Sequence, residues 1–464
     1  MLGGRPIRLA RVAPAHVATV QALLSGEALE VCAQNAEVVA ALLDRDFLEP
    51  LPAGDRTGQA EVTAVIPVRD HLEDIATLLG TPNALAEAAE IVVVDDASSD
   101  PDALDAVVKT AAHPNVRVVR MGVGRGPAAA RNFGARLGGG DLIAFVDADC
   151  MPEPGWMTPL LAHFDDADVG AVAPRVRAQV HHQARTSNTT DALLAFESAR
   201  GPLDLGPEPG SVGPGHRVLQ VPSAALVVRR AAFTQVGGFD ERFDRPTGED
   251  TDIEWRMARD GWTIRYEPSS VVRHPIRPGT AKMLRQRYVY GLAEATLADR
   301  HPGLGTLRVE PANLGALVMG GAGYLAPAAL VGLAGCVGPL RWWQRAGIET
   351  NEALRRSVAE QAADAHGLSL SVWTRYWPLT VVFAVLSRRF RKMALGALVA
   401  PALFDWMRRR PGVPISRWAA FHVMDQLAAG AGIWVGCLRA RSVSALLPRW
   451  AILPQRPELV PPPA

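Results

Sequence analysis

The stretch LIAFVDADCMPEP, residues 142–154, is where the fold of this chain is read. The run LIAFV is short, apolar throughout and closed by Asp147, the pattern of a strand buried on both faces in a parallel sheet. In extended backbone, residues i and i+2 project to one side, so Asp147 and Asp149 are able to face one ligand. Two hard oxygen donors at a strand mouth suit Mg2+ or Mn2+, which proteins commonly hold with one or two carboxylates plus substrate phosphates. The plainer alternative is that Asp-rich strand ends form turns or cap helices.

On the N-terminal side the same alternation repeats. VTAVIPV, EIVVVDD and VRVVR read as strands, while HLEDIATLLG, PDALDAVVKTAA and PAAARNFGARLG read as amphipathic helices between them. Strands and helices taking turns predict βαβ units and a parallel sheet. Ligands of open α/β sheets bind beyond the carboxyl ends of the strands. Arg69 and Asp70 follow the first strand, and Asp95 and Asp96 close the second.

At 464 residues the chain is too long for one ordinary domain. Its 48 Lys and Arg balance 48 Asp and Glu, which excludes the global basic field of a nucleic-acid-binding protein. Cys32, Cys150, Cys336 and Cys437 are far apart and form no CxxC pair, against a disulfide framework or structural zinc and in favour of a reducing cytosol. The opening MLGGRPIRLARVAP lacks the apolar core of a secretory signal and is expected in the mature protein.

Three regions are expected. Residues 1–58 carry short helical apolar patterns and end in the loop-like PLPAGDRTG; residues 61–300 hold the α/β alternation; residues 301–464 are rich in Ala, Gly and Leu. Ala312–Leu340 runs 29 positions without a charge, where a membrane span needs roughly 20. Arg341 and Arg345 follow it, consistent with a cytosolic end. The shorter patches WPLTVVFAVLS, ALGALVAPALF and LAAGAGIWVGCL read equally as spans, interfacial helices or core helices.

The order VTAVIPVRD, VVVDDASSD, RGPAAARNFGA, FVDAD, GGFDERFDRPTGEDTDIEWRMARDGW and VVRH resembles glycosyltransferase family 2 over about residues 61–290. That resemblance implies a GT-A fold, a nucleotide-sugar donor and a divalent metal, Mn2+ or Mg2+. It places Pro67 and Arg69 at the base of the nucleotide, with Asp96, or alternatively Asp95, accepting from uracil or ribose. Arg131 is placed at a phosphate or the base, against a surface role. Asp147 becomes the ribose-side member of the DxD and a metal candidate, Asp149 the metal ligand and His274 the third ligand. An imidazole donor favours Mn2+.

In the Gly248-Glu249-Asp250 motif the resemblance makes Asp250 the base of an inverting transfer, with Glu249 positioning the acceptor or the local backbone. Acids at a helix start are also ordinary N-terminal residues. Trp255 is a candidate for stacking on a sugar, with core packing as its alternative. Gln286 and Arg287 in LRQRYVYG only approximate the QxxRW signature of processive relatives, so they stand as diphosphate or acceptor candidates against a surface role.

The whole layout, a small N-terminal module, a family 2 core and a hydrophobic, arginine-dotted tail, resembles the glycosyltransferases of the mycofactocin system. This narrower resemblance implies hexose transfer, with UDP-glucose as donor and a peptide-derived redox cofactor as acceptor, at the cytoplasmic face of the membrane. It also suggests a winged-helix-like, peptide-binding N-terminal module. The competing readings are a polyprenyl-phosphate or cell-envelope glycosyltransferase and an inactive nucleotide-sugar-binding protein. A nucleotidyltransferase is disfavoured because IPVRDH stands where a glycine-rich signature is expected.

Overall fold

A computed structural model describes residues 2–3, 8–25, 27, 30, 32, 35–44, 46–50, 60–111, 113, 115–179, 188–243, 247–276, 279–304, 307–450 and 458–460. The loop expected over 50–58 therefore lies, from residue 51 on, outside the described residues. The chain forms two compact units, one of residues 1–182, 200–276 and 459–464, the other of 183–199 and 277–458.

The first unit begins with strands β1 (Leu2–Gly3) and β2 (Arg8–Val12) and helices α1 (Val17–Ser25) and α2 (Ala36–Asp44). Val20, Val38 and Leu42 form their small core. The sequence pattern showed the helices but not the sheet, because β2 pairs with β1 and with β14 (Glu458–Val460), a partner far along the chain. Just past α2, Asp46 accepts from the Ser211 amide at 3.0 Å and pairs with His216 Nδ1 at 2.8 Å.

The main sheet contains β3 (Val62–Val68), β4 (Glu90–Asp95), β5 (Val116–Arg120), β6 (Leu142–Val146), β7 (Met151–Pro152), β8 (Val169–Gln179), β9 (Gly210–Ser211), β10 (Ala225–Arg229) and β11 (Thr263–Pro275). Their order is β5-β4-β3-β6-β10-β8-β11-β7, with β9 pairing β11. Strands β5, β4, β3 and β6 are mutually parallel; β10 runs antiparallel to both β6 and β8. Strand order reverses between β3 and β6, and the crevice at such a switch point is where α/β sheets bind ligands. Arg69 and Asp147 leave the two strands that flank it.

Alternation along the strands divides the core. Val62, Ala64, Ile66 and Val68 face α3 (Leu72–Gly80), α4 (Pro101–Lys109) and α6 (Met157–Ala162), through Ile75, Leu104 and Leu160. Val65, Val94 and Phe145 face α5 (Pro127–Leu137), α8 (Arg230–Gln235) and α9 (Glu249–Arg259), through Ala130, Phe233 and Met257. Both faces are covered, which is why these strands read as continuous apolar runs.

The second unit holds α7 (Asn188–Arg200, through residue 199), α10 (Thr280–Arg300), α11 (Pro311–Ala322), α12 (Leu325–Ala334), α13 (Val337–Arg345), α14 (Thr350–Thr374), α15 (Trp377–Leu386), α16 (Arg388–Arg409) and α17 (Ile415–Ala440). The strand pair β12 (Arg308–Val309) and β13 (Arg449–Trp450) joins them. The sequence reading ends the catalytic region at 300, whereas α10 and most of α7 belong to this unit. The reason is packing: Phe196 of α7 stacks against Trp418 and Phe421, and α10 lies close along α17. A Cβ on Gly432 would collide with the Tyr288 carbonyl oxygen, and one on Gly291 with that of Ala429, so glycine is what lets these helices approach.

The 29-residue uncharged stretch does not form one helix. Gly323 adopts φ 93° and ends α11, with the Tyr324 amide bonding to Met319 O and the Gly323 amide to Gly320 O, a Schellman turn. Leu325–Arg345 remains as a helical segment long and apolar enough to cross a bilayer by length and composition.

Candidate active site

The carboxyl edge of the parallel strands gathers the expected donor-side residues. Pro67 lies within β3 beside Val94, and Arg69 is largely exposed just past the strand. Asp70, with φ 57°, accepts from the Ser99 amide at 2.6 Å and hydroxyl at 2.7 Å, stitching the loop after β3 to the loop after β4. The two candidates for the base or ribose contact are both buried and both engaged. Asp95 accepts from the Ser98 amide at 2.8 Å and meets Arg120 at 3.4 Å. Asp96 accepts from the Arg125 and Gly126 amides, at 2.7 and 2.8 Å, where α5 begins. A carboxylate is favoured at a helix N-terminus, so Asp96 anchors the start of α5; its oxygens each have a further lone pair for a ligand.

One turn into α5, Arg131 is only 3% exposed, which excludes the surface role. Its guanidinium reaches Asp147 Oδ1 at 2.7 Å and Glu249 Oε1 at 3.3 Å, above the Phe239 ring. A chain of alternating charge thus runs from the DxD through α5 to the start of α9. Asn132 locks the neighbouring loop, donating to Phe239 O and Glu241 Oε1 and accepting from the Phe239 amide, while Arg125 pairs with Glu241 at 2.6 Å.

Asp147 and Asp149 part company. Asp147 gives Oδ1 to Arg131, whereas Asp149 Oδ1 lies 3.4 Å from His274 Nε2. Strand register brings this about: β7 begins two residues after Asp149 and pairs with β11 at Val272 and Arg273, next to His274. Asp149 and His274 are one oxygen and one nitrogen donor side by side, a set better suited to Mn2+ than to Mg2+. No group of three His, Cys, Asp or Glu ligands gathers among the described residues. A cation here would complete its shell with substrate phosphates and water.

Gly248, at φ 93°, turns the chain into α9 and sets Glu249 and Asp250 at its first turn. Asp250 is partly exposed and accepts from the Thr251 amide at 2.8 Å; Thr251 in turn donates to Gln220 at 2.6 Å. Burial raises the Asp250 proton affinity, against the Thr251 amide and Arg131. Burial and the neighbouring Asp250 push the Glu249 carboxyl up to about 7, against Arg131. Glu254, one turn further on, is fully buried and accepts from the Val221 amide at 3.0 Å. Trp255 is buried and donates to Leu219 O at 3.0 Å, so it fastens residues 219–221 rather than offering a face to a sugar.

Glu249 and Asp250 titrate as a pair, and a base must be deprotonated to act. With Asp250 as the base, its raised proton affinity places the acid limb of kcat/KM above the usual carboxylate range, with activity lost as pH falls through it. In Glu249→Gln the negative neighbour is gone, Asp250 holds its proton less tightly, and the limb moves to lower pH. A pH profile of nucleotide release measures this; an unmoved limb counts against the pairing.

Gln286 and Arg287 belong to the second unit. Arg287 is buried between Glu197, at 2.6 Å, and Asp425, at 2.5 Å, and Gln286 bonds Tyr290 and Arg287. The guanidinium offered as a diphosphate candidate is thus neutralised by two carboxylates. Sequence reading gave no role to Arg125, Asn132, Gln220, Glu241 and Glu254, although all but Gln220 lie inside the quoted motifs RGPAAARNFGA and GGFDERFDRPTGEDTDIEWRMARDGW. For Glu254 a further signal was its place four residues after Asp250 on the same helical face.

The glycosyl transferase family 2 model matches residues 63–220, and the glycosyl transferase family group 2 model matches residues 142–408. A pre-mycofactocin glycosyltransferase of Mycobacterium tuberculosis is 34% identical over 464 aligned residues, covering 97% of this chain and 94% of that one. This chain belongs to glycosyltransferase family 2. It is a glycosyltransferase, and its first unit has the GT-A arrangement. Polypeptide N-acetylgalactosaminyltransferase 3 of Taeniopygia guttata is 27% identical over 235 residues, 46% of this chain and 38% of that one. Among solved structures, a mannosyltransferase from Pyrobaculum calidifontis in complex with GDP-Man and Mn2+ is similar at a TM-score of 0.40 and 20% identity, over 78% of this chain and 96% of that one.

Proposed function

We propose that this glycosyltransferase moves glucose from UDP-glucose onto a mycofactocin-type, peptide-derived redox cofactor, with inversion at the sugar. The observation that carries the reading is the Asp147–Arg131–Glu249 chain, which ties the DxD at the donor crevice to the helix start bearing Asp250. Asp250 takes the proton of the acceptor hydroxyl as that oxygen bonds to the anomeric carbon. The bond from that carbon to the diphosphate breaks, and its electron pair leaves with UDP. Arg131 holds Asp147 and Glu249 in place, and the Gly248 turn orients Asp250. Asp149 and His274 are the residues that would hold Mn2+, which supplies positive charge beside the leaving diphosphate.

Purified protein incubated with UDP-glucose, other nucleotide sugars, Mn2+ and the peptide-derived precursor tests this by mass spectrometry. Hexose increments on the precursor support it, and nucleotide-sugar turnover confined to lipid acceptors overturns it. For the metal, Asp149→Ala is expected to weaken Mn2+ binding, titrated by paramagnetic resonance with UDP present, by more than about ten-fold, a loss that even outer-shell substitutions produce. Unchanged titration removes Asp149 from the ligand set.

A second reading, transfer to a polyprenyl phosphate at the membrane, is favoured by one observation. Of 30 exposed large hydrophobic residues among those described, 25 lie between Val318 and Leu447. Apolar surface so concentrated marks an interaction face. The same observation supports association of the second unit with a membrane; Arg341 and Arg345 after the apolar stretch support a cytoplasmic side for the catalytic residues. The winged-helix-like reading of the N-terminal module would give the peptide acceptor a docking place; deleting residues 1–58 should then raise KM for the peptide acceptor more than for the nucleotide sugar.

A further inference from the structure

Resting on the reading that the second unit meets a membrane, one corner of that unit stands out. The ends of four helices converge there. Arg389 Nη1 caps α11 at Ala322 O (3.1 Å), and Arg391 Nε caps α15 at Ala384 O (2.9 Å). Phe383 and Phe390 join α15 to α16 with ring centres 5.5 Å apart. On the outside of this junction, Tyr324, Leu325, Val385 and Leu386 are 61–77% exposed. Exposed Arg388 and Lys392 stand beside them on the first turns of α16.

Charge decides what could cover such a surface. Pro311–Ile348 and Trp377–Phe404 contain no Asp or Glu but six cations, Arg341, Arg345, Arg388, Arg389, Arg391 and Lys392. Apolar stretches whose internal charges are all cationic, ending only at Glu310, Glu349 and Asp405, fit a bilayer whose headgroups are negative. Helices α11 and α15, at 12 and 10 residues, are each too short to cross the roughly 30 Å hydrocarbon core. We propose that this corner is where the protein enters the membrane interface: Tyr324, Leu325, Val385 and Leu386 insert among acyl chains, while Arg388 and Lys392 bind anionic headgroups.

Vesicle co-sedimentation tests this with the full chain, using phosphatidylcholine alone and phosphatidylcholine with one part in three of phosphatidylglycerol. Wild type is expected to favour the anionic vesicles, with the preference fading as salt screens the headgroups. Arg388→Glu with Lys392→Glu should lower binding to anionic vesicles at least about ten-fold, since each basic residue near such a surface contributes comparably, and leave binding to neutral vesicles unchanged. Glutamate at 388 suits the helix dipole and both positions are exposed, and near-UV circular dichroism checks that the variant keeps its fold. Val385→Asp with Leu386→Asp should lower binding to both vesicles.

Wild-type binding that neither double variant alters overturns the corner while leaving membrane association standing. Binding indifferent to the anionic lipid overturns the headgroup assignment. Absence of binding to any vesicle fails the membrane reading itself, and the corner with it. A dimer in solution that Val385→Asp with Leu386→Asp dissociates, without vesicle binding, assigns the surface to a second copy instead.

Discussion

Asp250→Asn is expected to lower kcat by about 10²–10⁴-fold, the range that a placed general base contributes, while UDP binding stays as in the wild type. Asparagine keeps the carbonyl oxygen that accepts from the Thr251 amide, so the first turn of α9 and the Gln220 contact through Thr251 survive. What is lost is the capacity to take a proton. The amide is neutral at every accessible pH, so the acid limb disappears together with the rate. Steady-state turnover by UDP release and calorimetric binding of UDP separate the two quantities. Full turnover in this variant would move the base role elsewhere, with Glu249 the nearest carboxylate.

Arg131→Met is expected to destabilise the first unit by about 3–5 kcal/mol, the cost of removing one partner from a buried ion pair. Methionine fills similar volume over the Phe239 ring, so little of the loss comes from a cavity. The cost arises from Glu249, which is buried and left without its cation, and to a smaller degree from Asp147, which reaches solvent. Part of that cost is recovered when Glu249 binds a proton. Arg131 lowers the Glu249 proton affinity in the wild type, so in the variant Glu249 titrates above about 7; wild type exceeds the variant most at pH well above that, and the gap narrows as pH falls toward about 7. Denaturant unfolding at pH 6 and pH 8.5 measures both the size and the direction. A gap below 1 kcal/mol at pH 8.5, or one that widens in acid, would show that the chain of charge is not what holds the site.

Transfer and stability are thus joined at α5. The helix anchors its start on Asp96, holds the loop before α9 through Asn132 and neutralises both acidic motifs through Arg131. A substitution on this helix that breaks one of these contacts is expected to move the melting temperature as well as turnover.

The sequence by itself determined the α/β class, the strands and helices of residues 62–146, the position of Asp147 and Asp149 at a strand mouth, and Asp250 at a helix start. These follow from local causes: the period of apolar residues, the chemistry of strand ends, and glycine where φ is positive. Tertiary structure alone decided the rest. Arg131 meets Asp147 sixteen residues away and Glu249 118 residues away, and no periodicity encodes either pairing. Asp149 rather than Asp147 meets His274 because β7 and β11 pair in one register. Arg287 lies between Glu197 and Asp425 because glycines let α10 and α17 close together, and Arg389 caps the helix that Gly323 ends from 67 residues further on. Each is a contact between segments distant in the chain, fixed by which faces pack and how closely their backbones approach, and that information exists only once the chain has folded.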